Sequence, residues 1–181
     1  MHDVNAAVAP KHRIIVEEYE RIVAERDLEQ VELIDGVIYE VSPESARHVD
    51  AAFMLQEIFL ERFPGTRVRC AGSVGLSDVT LLQPDVYVAK PLRSPDVRYP
   101  DAADVVLAVE VALSTWSRDM GLKRSAYARA GIAEYWVVVP EKGGRIVRRT
   151  EPVGDTYRTA ETVPLPDGLD SLADVAGSLL R

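Results

Sequence analysis

Glu110 stands in the run DVVLAVEVAL, Asp104 to Leu113, where almost every neighbour is apolar. A carboxylate in such a strand costs several kcal/mol unless it is paired, hydrogen-bonded or on a metal, so this position demands a partner. Strand alternation puts Glu110 on one face with Ala108 and Ala112, two small residues that leave room beside the carboxylate, and turns Leu107, Val109 and Val111 the other way. Asp85 is the natural second acid. It lies in another short apolar segment, QPDVYV, after a proline that fixes its local backbone. Two carboxylates on neighbouring strands repel when both are ionised, unless a divalent cation sits between them. One cysteine, Cys70, three histidines and no CxxC or HExxH spacing exclude the usual thiolate or imidazole zinc sites. Any metal here is therefore expected to be held by oxygen, which suits Mg²⁺ or Mn²⁺. The plain alternative for Glu110 is a sheet-edge acid that reaches solvent or an arginine, and Asp at a strand-loop junction is common.

Just past the Glu110 strand, Asp119, Lys123 and Tyr127 fall at i, i+4 and i+8 and so line one face of a helix. Taken alone, an Asp-to-Lys helical ion pair worth a few tenths of a kcal/mol is the better explanation of that spacing.

The elements that must hold these residues are legible in outline. Ile14, Ile15, Tyr19, Ile22 and Val23 recur at helical spacing over about 14–26. VELIDGVIYEVS alternates about Asp35-Gly36, a dipeptide suited to the positive φ of a tight hairpin. Ser42-Pro43-Glu44 reads as an N-cap, first-turn proline and early acid of a helix running to about Arg62, which Phe63-Pro64-Gly65 ends. Short strands fill Thr66 to Lys90, the last including Gln83-Pro84-Asp85, where proline fits a strand start or edge. The Glu110 run reads as a central strand covered on both faces. A helix over about Ser117–Ala130 with Gly131 at its C-cap, and then EYWVVVP, complete a strand-helix-strand crossover with a parallel pair. RIVRRTEPVGDTYRTAET reads as outer antiparallel strands, and Gly168 to Leu180 as a terminal helix. Residues 1–13 are expected to be a flexible segment preceding one domain over 14–181.

With 181 residues, 47% hydrophobic, the chain can bury a real core as one domain. It shows no signal peptide, and its apolar runs are far below the roughly 18 residues of a membrane span, so a cytoplasmic protein with no membrane partner is expected. The net charge of -8 argues against a generic polyanion binder. That charge is uneven, however. Residues 118–149 hold 8 basic and 3 acidic side chains, including Arg118, Arg124 and Arg129, against an acidic remainder. The stretch is either a solvated surface or a phosphate-facing stripe.

Four motifs, ELIDG, QPD, VEV and D-x-x-x-K-x-x-x-Y-A-x-x-G-x-x-E-Y-W, occur in that order over roughly residues 15–175. The series resembles the Uma-two family, a branch of the PD-(D/E)XK nuclease superfamily. The resemblance implies an α/β restriction-endonuclease-like fold, a mixed central sheet flanked by helices, with the active site on two adjacent strands. It implies that Asp85 and Glu110 are metal ligands for Mg²⁺ or Mn²⁺. The superfamily lysine two residues beyond the acid is replaced by Ala112, and Lys123 matches the lysine supplied from the following helix. Gln83 matches the QPD glutamine, Glu32 and His48 match positions near the cleft, and Asp119 and Tyr127 of the D-x-x-x-K-x-x-x-Y motif are supporting candidates. Leu113 and Val139 depart from common family residues without touching these ligands.

The implied activity is Mg²⁺-dependent hydrolysis of DNA phosphodiester bonds; separately, the charge pattern gives the expectation that Arg118, Arg124 and Arg129 face the nucleic acid. Two other readings stay open: a non-catalytic nuclease-fold binding or scaffold protein, and a small-molecule phosphoesterase using the same carboxylates. Among partners, a homodimer also stays open.

Overall fold

The computed structural model describes residues 12–41, 43–91, 94, 97–112, 119–140 and 144–165. Within them the elements run α1 (Val16–Arg26), β1 (Val31–Ile34), β2 (Val37–Glu40), α2 (Ala46–Arg62), β3 (Arg67–Cys70), β4 (Val74–Ser77), β5 (Thr80–Leu82) and β6 (Val86–Ala89). A 3₁₀ turn (Ala102–Asp104) leads to β7 (Val105–Val111), and a π turn (Asp119–Lys123) to α3 (Arg124–Arg129). The chain then gives β8 (Glu134–Val139), β9 (Arg145–Val153) and β10 (Thr156–Pro164). The expected terminal helix over 168–180 lies outside the described residues, as do Arg118 and all but the last two residues of the 1–13 segment.

These strands make two sheets. A four-stranded antiparallel sheet is ordered β2-β1-β5-β4, and a six-stranded mixed sheet is ordered β10-β9-β8-β7-β6-β3. The only parallel pair among these is β7–β8, joined by the crossover that carries the π turn and α3. Glu110 is thus central: β7 is flanked by β6 and β8, and all seven of its residues are buried.

Alternation along β7 separates two cores as expected. Ala108 and Ala112 pack with Tyr127, Ile132, Tyr135 and Tyr157 on the α3 face. Leu107, Val109 and Val111 pack with Phe59, Phe63, Trp136 and Ile146 on the α2 face. Aromatic rings lock each side, with Phe59 edge-on to Trp136 at 6.1 Å and Tyr127 against Tyr135 at 5.1 Å.

Two local expectations need correction. The cap of α2 is Ser45, whose Oγ accepts from His48 N at 3.3 Å, rather than Ser42. Pro43 and Glu44 therefore precede the helix, and Glu44 sits four residues before His48. The second concerns Gln83-Pro84-Asp85, expected inside a strand. These three residues instead link β5 of one sheet to β6 of the other. Proline suits that link because a residue with no N–H cannot serve a ladder. No helix among the described residues is long and apolar enough to cross a membrane.

The β1–β2 hairpin turns on Asp35 at φ 51° and Gly36 at φ 79°, the positive pair such a turn requires. A Cβ on Gly36 would stand 2.6 Å from Arg13 Cβ, because the chain entering α1 crosses here and Ile14 N donates to Gly36 O. Gly36→Ala is expected to cost at least about 1–2 kcal/mol from the left-handed backbone alone. Thermal or urea unfolding monitored by circular dichroism checks it; an unchanged midpoint would mean the turn relaxes freely.

Candidate active site

The link between the two sheets brings the acids together. Ala71 N donates to Asp85 O at 3.0 Å, continuing the β3–β6 ladder by one residue. The β6–β7 register pairs Val86 with Val109, so one step further sets Asp85 beside Glu110. Asp85 Oδ2 accepts from Val111 N at 2.5 Å and lies 3.1 Å from His48 Nε2 on α2. A backbone amide of the central strand and an imidazole from the helix above thus fix this carboxylate.

Glu110, 2% exposed, is held from the opposite face. Its Oε2 is 2.9 Å from Lys123 Nζ, and its Oε1 accepts from Tyr127 OH at 2.8 Å. The π turn widens the helix just where Lys123 must reach back to the strand, a local distortion frequent at functional sites. Lys123, 4% exposed, is also 3.0 Å from Oε1 of Glu32 on β1. That same oxygen accepts from Gln83 N at 3.0 Å, and Gln83 Nε2 donates to Ala71 O. One buried ammonium therefore serves two buried carboxylates drawn from both sheets. Burial, and then the Glu110 charge, push the Tyr127 phenol well above its ordinary value, so it remains a proton donor to Glu110.

His48 lies between acids: Nδ1 is 3.4 Å from Glu44 Oε2, and Nε2 faces Asp85. Its pKa is raised, first by the hydrogen bond to Asp85 and also by the charges of Asp85 and Glu44, with burial opposing. A raised folded-state value means that the stabilisation from imidazolium is fully present below the unfolded value of about 6.5 and is lost as pH rises through the folded one. In the metal-free protein, an NMR titration of the ring protons is expected to place His48 above the ordinary histidine value, and Asp85→Asn should bring it down. A value for His48 at or below that of an ordinary histidine would contradict the pairing.

Both half-sites meet at a pocket of about 410 Å³ whose lining includes Glu32, Glu44, Gln83, Asp85 and Lys123. The donor set fits a divalent cation. Ligand atoms of Glu44, His48 and Asp85 all lie within 4.8 Å of one another, and Glu32 Oε2 is buried with no hydrogen-bond partner among the described residues.

Of the residues singled out in the sequence, Asp85, Glu110, Lys123, Gln83, Glu32, His48 and Tyr127 converge here. Asp119 opens the π turn, and its side chain lies outside what is described. Arg129 turns away, forming an exposed two-pronged bond to Asp35 at 2.7 and 2.8 Å. Arg124 is partly buried beside α3's neighbour β9, where its charge and that of Arg149 repel. The sequence marks Glu44 only as a helix-start acid; its four-residue spacing from His48 is the available signal.

A family model described as "Uma2: Putative restriction endonuclease" matches residues 16–179. A solved structure from Anabaena variabilis, described as "a putative nuclease belonging to DUF820", shares the fold with a TM-score of 0.63 at 16% identity. The match covers 93% of this chain and 99% of that one. A search of curated proteins returns no match.

Proposed function

The chain belongs to the Uma2 family, and from that premise we propose that it is a metal-dependent endonuclease hydrolysing DNA phosphodiester bonds, with Asp85, Glu110 and Lys123 as its catalytic residues. The observation that carries this reading is a single buried lysine held 2.9 Å from Glu110 and 3.0 Å from Glu32 in the wall of a pocket it shares with Asp85.

Asp85 and Glu110 would hold the cation, Mg²⁺ or Mn²⁺. When bound, the ion supplies a polarised phosphate and a water of lowered pKa. The protein's own groups do the remaining work. Lys123 brings a fixed positive charge to a pocket whose carboxylates would otherwise repel a phosphodiester, and it offsets the negative charge that builds on the phosphate oxygens in the transition state. Tyr127 keeps Glu110 oriented through its phenol proton. Val111 N and His48 orient Asp85, and the Gln83 amide orients Glu32. Because these contacts come from β7, α2, α3 and the inter-sheet link, the acids are positioned before substrate arrives. Of the net basic stretch over 118–149, Lys123 lines this pocket, whereas Arg129 is held by Asp35 and Arg124 lies against β9.

The test is substrate class. Purified protein with Mg²⁺ or Mn²⁺ is offered supercoiled plasmid, single-stranded DNA and bis(p-nitrophenyl) phosphate. Scission of DNA is the expected result. Turnover of the small diester with DNA left intact would move the assignment to a phosphoesterase, and no turnover at all would leave a non-catalytic nuclease fold.

A further inference from the structure

The sequence alone points to a metal site built from oxygen, whereas the ligand cluster that the fold assembles contains a nitrogen. Glu44, His48 and Asp85 come from the approach to α2, its first turn and the inter-sheet link, and their ligand atoms all lie within 4.8 Å of one another. His48 is 12% exposed in its side chain, Asp85 10% and Glu44 44%, so the cluster is shielded on the protein side and open on one side. His48 Nδ1 is buried and makes no hydrogen bond of acceptable geometry. Glu110, by contrast, has Oε2 on Lys123 and Oε1 on Tyr127, and the group that offers closely spaced ligand atoms lies on the other side of Asp85.

We propose that Glu44, His48 and Asp85 form a cation position of their own, on the α2 side of Asp85, which takes a first-row transition ion such as Mn²⁺ or Co²⁺ in preference to Mg²⁺. The chemistry sets the preference. Imidazole is a good ligand for transition ions, whereas Mg²⁺ demands near-ideal octahedral oxygen coordination and gives up its waters reluctantly. Two carboxylates with one neutral imidazole would cancel the dication's charge. Without the cation, His48 Nε2 faces Asp85 at 3.1 Å and Glu44 Oε2 stands 3.4 Å from Nδ1. Asp85 is shared between this position and the Asp85–Glu110 pair of the nuclease reading, so the inference rests on that reading only for Asp85 and makes its own demand on His48 and Glu44.

The experiment is Mn²⁺ binding to the full chain, followed by pulsed electron paramagnetic resonance for ¹⁴N coupling and by calorimetry for affinity. The expected result is a ¹⁴N coupling that disappears in His48→Ala and survives in Glu110→Gln. Mn²⁺ affinity should fall at least tenfold in His48→Ala, while Mg²⁺ affinity changes less than twofold. Glu44→Gln should weaken Mn²⁺ binding and keep the coupling. Absence of ¹⁴N coupling in the wild-type chain overturns the proposal, and so does coupling that persists in His48→Ala, which would place the ion on another histidine. Circular dichroism melting confirms that each variant is folded. The two readings fail separately: DNA scission without nitrogen coupling leaves the nuclease and removes this site, whereas nitrogen coupling without scission does the reverse.

Discussion

Lys123→Ala is expected to lower the stability of the protein by about 3–5 kcal/mol, the scale for removing one partner of a buried ion pair. The reason is local. Glu32 and Glu110 are 3% and 2% exposed, and Lys123 is the cation that both contact, at 3.0 and 2.9 Å. Without it, two carboxylates from different sheets are left close together in a low-dielectric interior, where repulsion and desolvation act in the same direction. A double-variant cycle separates this from lost packing. Adding Glu110→Gln to Lys123→Ala removes one of the stranded charges and should recover part of the loss, with a coupling energy well above the few tenths of a kcal/mol expected of independent sites. Additive losses in urea unfolding would mean that the lysine acts through its aliphatic stem alone.

Asp85→Asn is expected to cost most in function. The carboxylate accepts from Val111 N at 2.5 Å, faces His48 at 3.1 Å and lines the pocket with Lys123. Asparagine keeps the shape and an acceptor oxygen, so the backbone contact can persist and the fold should hold. What it lacks is the charge that draws a divalent cation and lowers the cost of placing His48⁺ beside it. Divalent-ion affinity measured by calorimetry should fall below detection. Single-turnover cleavage should drop about 10²–10³-fold, the scale for losing one preorganised electrostatic group. A variant that binds Mn²⁺ as tightly as the wild type would remove Asp85 from the ligand set.

Much of this arrangement is legible in the sequence, for identifiable reasons. Asp35-Gly36 specifies its hairpin because few other pairs tolerate φ of 51° and 79° in succession. Glu110 declares itself because a charge inside VVLAVEVAL has no inexpensive explanation. Lys123 and Tyr127 do reach one partner from one helix face, as the four-residue spacing anticipates. Division into two sheets is not legible, since β3 to β6 are three or four residues long and carry too little alternation to say which sheet each joins. Strand partners of that length are set by long-range pairing rather than local pattern. The role of Gln83-Pro84-Asp85 as the inter-sheet link is hidden for the same reason. Nor does the sequence show the Glu44–His48–Asp85 cluster, because Ser42 and Ser45 are both chemically fit to cap α2, and only the choice of Ser45 sets Glu44 ahead of the helix. The π turn is likewise a response to where Lys123 must reach, with no composition signature of its own.

The most direct measurement of the central claim is scission of supercoiled plasmid by wild-type protein and by Glu110→Gln, purified in parallel, matched by circular dichroism and supplied with Mn²⁺. The wild type is expected to nick and linearise the plasmid only when the ion is present, and Glu110→Gln to leave it supercoiled under the same conditions. Equal scission by the two proteins, or scission that persists in a metal chelator, would contradict the assignment of this site as the nuclease centre.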